Sequence, residues 1–211
     1  LSDAEVLYRQ RLPGLSVVME SQASGCDRDF VSDKLLGAEG AVTAVLTPAS
    51  VGNRSSGSYR EDDESQVLGA ITLRVRERNG AAGRTLSYVE VLMCAAAKKR
   101  CGVGRLLAAW AALAACGHGV DFMLVSAGTD VLDFWGRLGY GSLHDGRATE
   151  LRADIEAAGA ELHDAFSGSK VLYRRLPPMD QAGEIHAAME SAITSHHLKR
   201  AGLKRRRPSQ Q

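Results

Sequence analysis

An α/β domain, with a mixed central β-sheet flanked by helices, is what this 211-residue sequence predicts, and four stretches predict it. Residues 66–77 and 86–96 are runs of alternating and β-branched apolar residues joined through Asn79-Gly80, so they read as an antiparallel hairpin. Val103, Leu106, Leu107, Trp110, Leu113 and Ala114 recur at helical spacing and predict a helix over 102–116, ended by Gly117 and Gly119. The largely apolar run 120–127 then reads as a strand covered on both faces. Strand, helix, strand over 84–127 is a βαβ unit, so its two strands should be parallel.

The remaining elements follow in chain order. Residues 1–40 are weakly patterned, with a short helix expected over 29–36 on Phe30, Val31, Leu35 and Leu36. Small and β-branched residues over 41–47 predict a strand stopped by Pro48. The Ser/Gly-rich and then acidic stretch 49–65 has nothing to pack and reads as a mobile loop. Thr129 or Asp130 caps a second short helix carrying Val131, Phe134 and Leu138, with Gly139 as its stop. Residues 147–164 look helical and polar, and 170–176 look like a last strand before Pro177-Pro178. The expected division is a domain over 1–179, with its core at 66–140, and a segment 180–211. That segment begins as a helix with Ile185, Met189, Ala192 and Ile193 on one stripe and ends as a basic tail.

Composition narrows the function classes. Lys+Arg 26 against Asp+Glu 25 leaves a net charge of +1, so no whole-chain field draws nucleic acid. A 45% hydrophobic content excludes disorder throughout. No apolar run reaches the ~20 residues of a membrane span and no signal-peptide pattern opens the chain, so an intracellular protein, nuclear or cytoplasmic, is expected. With Leu1 in first place, the chain reads as processed or as a domain of something longer. Cys26, Cys94, Cys101 and Cys116 form no Cys-x-x-Cys pair and the six histidines do not cluster near them, so free thiols and no metal are expected. The one strong local charge is the block from Lys199 to Arg207, six basic residues without an acid. It reads either as a contact for nucleic acid or an import receptor, or as a solubilising tail.

The chemistry concentrates at Lys99-Arg100-Cys101-Gly102-Val103-Gly104-Arg105, which enters a helix directly from a strand. Two glycines there let the backbone approach a ligand closely, and the free N–H groups of a helix start attract anions. Pyrophosphate is the natural guest, with Lys99, Arg100 and Arg105 adding positive charge. The spacing is neither Walker A nor the dinucleotide fingerprint, because the Gly-Lys-Ser/Thr of the one and the third glycine of the other are missing.

The order strand, Arg-x-Gly-x-Gly, amphipathic helix, buried strand, then Asp133-Phe134-Trp135-Gly136-Arg137-Leu138-Gly139-Tyr140 resembles the GNAT superfamily of acetyl-CoA-dependent N-acetyltransferases. Lys99 stands where that family's loop motif begins with Gln or Arg. The run Glu90-Val91-Leu92-Met93-Cys94-Ala95 is most similar to the lysine (histone) acetyltransferase branch and its Glu-x-x-x-Cys-Ala strand. The resemblance implies a sheet splayed between the two strands that hold acetyl-CoA, the co-substrate, with no metal. It implies Glu90 as general base, the backbone of Cys94, Ala95 and Ala96 against the pantetheine arm, and the pyrophosphate at 99–105. Trp135 stands where many members place a tyrosine acid, so it packs either against the pantetheine or in the core, and Phe134 precedes it. The implied acceptor is a lysine of a protein such as a histone; a small amine of polyamine type, or a catalytically weak acyl-CoA-binding subunit, are the alternatives. The residues themselves leave Glu90 two roles: a desolvated base on a face with Tyr88, Leu92 and Cys94, or an ion-pair partner of Arg74.

Overall fold

The computed structural model describes residues 2–11, 36–47, 67–79, 85–142, 152–153 and 169–200. The short helix expected at 29–36, apart from Leu36, lies outside them, as do the 49–65 loop, nearly all of 147–164 and the tail beyond 200.

Within the described residues the chain runs α1 (Asp3–Arg11), β1 (Ala41–Leu46), β2 (Gly69–Asn79), β3 (Thr85–Ala96), α2 (Val103–Gly117) and β4 (Phe122–Gly128). A 3₁₀ turn (Thr129–Val131) then leads into α3 (Leu132–Gly136), β5 (Gly141–Ser142), β6 (Ser169–Arg175) and α4 (Gly183–Arg200). The strands form one mixed sheet in the order β1-β2-β3-β4-β6-β5. β2 and β3 pair antiparallel, as the turn at Asn79-Gly80 predicts, and β3 and β4 pair parallel, as the βαβ reading requires.

Two layers cover the sheet. On one face α2 and α4 close the main core over Ile71, Leu73, Val89, Val91, Met123, Val125 and Leu172. On the other, α1 brings Ala4, Leu7 and Tyr8 onto Ala70, Met93 and Ala95. The same face carries a second cluster where Tyr88 and Phe122 stack, ring centroids 5.2 Å apart. Helix α1 went unread because its composition is polar; its signal is the Ser2-x-x-Glu5 pattern, whose Ser2 hydroxyl accepts the Glu5 backbone N–H at 3.2 Å. Tyr8, fully buried, then hydrogen-bonds Thr72 at 2.8 Å, and Thr72 in turn bonds Thr43 at 2.8 Å.

The helix expected over 102–116 is present, but its buried face is rotated from the expected stripe. Val103, Leu107 and the alanines 108, 109, 111, 112 and 115 are buried, while Trp110 is exposed. A stripe of large residues was the expectation; small ones instead let α2 lie close to both the sheet and α4. Likewise Ile185 and Ala192 of α4 are buried and Ile193 is exposed. The boundary at 179–180 marks a change in composition, since Ala182 and Ile185 belong to the same core as α2.

Close approach is also what Gly69 provides. A Cβ there would stand 2.5 Å from Val103 Cγ1, 2.9 Å from Leu107 Cδ1 and 2.9 Å from the Ala95 carbonyl oxygen. The last is backbone and cannot rotate away. Gly69→Ala is expected to lower stability by roughly 1–3 kcal/mol, the usual cost of overpacking, seen as a lower denaturant midpoint at unchanged m-value.

Candidate active site

One irregularity organises the site. Thr72 pairs with Met93 but Leu73 pairs with Val91, so Leu92 is an extra residue, a β-bulge in β3. Before it, Glu90 shares the α1 face with Tyr88, and Val89 and Val91 face α2. After it the sides exchange: Met93 and Ala95 pack under α1, and Cys94 and Ala96 turn toward α2. The expected common face for Glu90 and Cys94 is therefore corrected, because simple alternation does not pass through a bulge.

The bulge also marks where the sheet opens. The β3–β4 ladder runs only from Tyr88↔Phe122 to Val91↔Val125. Beyond it, β3 continues to Ala96 against β2 alone and β4 continues to Gly128 against β6 alone. The backbone of 92–96 on the β4 side has no strand partner among the described residues. This is the expected splay, and Glu90 sits at its closed end. Five residues past Val91, the last rung, about 16 Å along the strand, the wide end meets the loop 97–102.

That loop is held in an unusual shape. Arg100 (φ 60°) and Gly102 (φ 90°) are both left-handed, and the Cys101 thiol donates to the Lys98 carbonyl at 2.8 Å. A non-glycine residue at such φ is uncommon and concentrates where backbone shape serves a site. Gly102 is the N-cap of α2, with no side-chain cap and no acid in the first turn. The leading N–H groups of α2 thus have no acceptor from a cap side chain or from an acid in the first turn. Lys98, Lys99, Arg100 and Arg105 are exposed around them. Lys98 was not singled out from sequence, although it continues the same basic run.

The other expected cofactor residues divide. Val103 is a core side chain seated on Gly69. Phe134 lies at the helix start: a Cβ on Gly104 would stand 3.3 Å from its Cζ. Helices α2 and α3, which follow the two diverging strands, meet there. Trp135 is buried in the core, edge-on to Tyr140 at 5.0 Å.

At the closed end Glu90 is an ion-pair partner. Its Oε2 accepts Arg74 Nε at 2.8 Å and Nη2 at 2.7 Å, and Arg76 Nε at 3.4 Å. Arg74 is its direct cross-strand neighbour. Arg76 was missed from sequence, although an Arg-x-Arg pattern on a strand puts both residues on one face. All three of these contacts fall on Oε2.

Burial pushes the Cys94 thiol up to about 12, so it stays protonated at neutral pH and is no nucleophile. Cys94→Ala is expected to leave turnover nearly intact, since only backbone is asked of it. A raised folded-state value means that the unfolded chain ionises first. Stability contributed by Cys94 is full below about pH 8.5 and is lost as pH rises toward 12. Alkaline denaturation should therefore be shallower in the alanine variant. Tyr8 and Tyr140 are raised in the same direction by burial.

No protein-family model and no curated protein sequence matches the chain. Among solved structures it is similar to Tetrahymena GCN5, with TM-score 0.52 and 14% identity over 83% of this chain and 86% of that one. FeeM, an N-acyl amino acid synthase from uncultured soil microbes, aligns at TM-score 0.45 and 13% identity over 92% of this chain and 94% of that one. A GNAT-family acetyltransferase from Staphylococcus aureus Mu50 aligns at TM-score 0.44 and 13% identity over 81% and 94%. The likeness is one of fold.

Proposed function

We propose that this chain, which has the GNAT fold, is an N-acetyltransferase that takes its acetyl group from acetyl-CoA and delivers it to a protein lysine. The observation that carries the reading is the splay of β3 from β4, opening onto the uncapped, cation-rimmed start of α2. An unpaired strand edge suits an amide-bearing arm, and orphan N–H groups beside lysine and arginine suit a pyrophosphate. Among the described residues no group of three metal ligands occurs.

Acetyl-CoA bound there would supply a thioester to an attacking amine. The chain's own residues have three tasks. Gly102, Gly104, Lys99, Arg100 and Arg105 would hold the pyrophosphate, and Phe134 would wall the arm. A backbone N–H near Cys94 would hold the thioester oxygen. Glu90 would accept the amine proton, directly or through water. In this reading Arg74 and Arg76 hold Oε2 in place and Oε1 does the accepting.

The lysine acceptor, with a histone as the example, is supported by the run from Glu90 to Ala95; the basic block 199–207 is the support for a nuclear setting. The test is acetyl-CoA consumption against lysine peptides, histones and small amines. Turnover on lysine peptides is expected. Turnover on small amines alone would replace the acceptor, and binding without turnover on any amine would replace the activity.

A further inference from the structure

The C-terminal helix lies outside the segment that carries the resemblance, yet it reaches the anion loop. After β6 the chain returns beside the start of β4: Arg175 pairs with Phe122, and the Leu176 N–H bonds the Asp121 carbonyl. Helix α2 ends at that same edge, since the Val120 N–H bonds back to Ala115. From there α4 runs against α2, with Ala182 and Ile185 in the shared core. Ten residues later it arrives at the other end of α2. Ala192 is fully buried, and its carbonyl oxygen stands 3.7 Å from where a Cβ on Gly102 would be. The backbone of α4 thus faces the left-handed N-cap across the space that a side chain there would enter.

We infer that α4 is the back wall of the cofactor loop, and that Ala192 is a positioning residue that sets acetyl-CoA affinity through Gly102. This rests on the acetyl-CoA reading above. The physical reason is the shape of the loop. Arg100 and Gly102 hold backbone angles that a free loop leaves readily. No cap side chain holds Gly102; its carbonyl accepts the Leu106 N–H at 3.0 Å, and α4 lies beside it. Ala192 is fully buried, so a larger side chain there must shift α4 or what packs on it. The last eight residues of α4 carry the helix about 12 Å further, with Lys199 and Arg200 at its end.

The test uses the full chain and CoA as the probe. Ala192→Leu is expected to raise the CoA Kd about tenfold or more, in line with the cost of misplacing binding groups. The KM for acetyl-CoA should rise with it while kcat holds. Ala192→Ser should bind as wild type does, and Ala187→Leu, at an exposed position of the same helix, should change nothing. A folded Ala192→Leu with unchanged CoA affinity overturns the inference, as does an equal loss in Ala187→Leu. Hydrogen exchange on the unaltered protein supplies a reading that needs no variant to fold. CoA should slow the amides of 190–194 together with those of 102–106. Slowing at 102–106 alone overturns the inference and spares the cofactor reading; slowing at neither overturns the cofactor reading itself.

Discussion

Gly102→Asp is expected to abolish stabilisation by acetyl-CoA. In the unaltered chain a hundredfold excess of ligand over Kd should contribute about 2.7 kcal/mol, several degrees of thermal shift. The substitution opposes this in two ways. Gly102 sits at φ 90°, where an L side chain is strained, and it brings a carboxylate to the N–H groups meant for a phosphate. Space is not the obstacle, because the nearest atom to a Cβ is 3.7 Å away. Gly102→Asn separates the two causes, since asparagine tolerates left-handed backbone and carries no charge. Asp losing the shift while Asn keeps part of it places the effect on charge. An undiminished shift in Gly102→Asp removes the phosphate assignment.

Glu90→Gln is expected to lower the rate by about 10²–10⁴-fold, the usual loss with a positioned base, with acetyl-CoA affinity nearly unchanged. The amide keeps an oxygen for Arg74 and Arg76 but cannot take a proton. A free lysine amine has a pKa near 10.4, so raising the pH should partly restore the variant by supplying neutral amine. A purely structural Glu90 makes a different forecast. Two guanidiniums facing a neutral amide would lower the melting temperature, and the pH profile would keep its shape. Measuring both quantities on one variant decides between the roles. Turnover within a few-fold of wild type, with chemistry rate-limiting, would place the base elsewhere.

Much of the fold was legible because it follows from periodicity and turn chemistry. The hairpin, α2, the parallel β4 and the glycine loop each rest on a local pattern that the structure honours. What escaped has physical causes too. Helix α1 is held by one cap and a few buried side chains rather than by a long apolar stripe. Trp110 was misplaced because size was taken for burial, whereas α2 buries its alanines so that two layers can approach it. Gly69 has no side chain to enter the alternation, but a glycine inside a strand often marks another chain segment pressing close. At the site, the run of glycines and cations entering α2 was legible, and Arg74 was named as a partner for Glu90. The second arginine and the nearness of the Ala192 carbonyl were not, for they depend on register and on an element distant in sequence.

Leu92 amounts to a frameshift in side-chain space. A strand has a reading phase of two, and one inserted residue changes which helix each later position addresses. Were Leu92 to take a regular place in the alternation instead of bulging, Met93 and Ala95 would be delivered to α2, and Cys94 and Ala96 to α1, so both layers would receive the wrong cargo. The four-rung ladder between β3 and β4 would also lose the kink at which it stops, and a ladder free to zip further leaves no cleft. Whether this sheet grips a guest or closes on itself is therefore written in the count of residues between Glu90 and the loop, as much as in their identity.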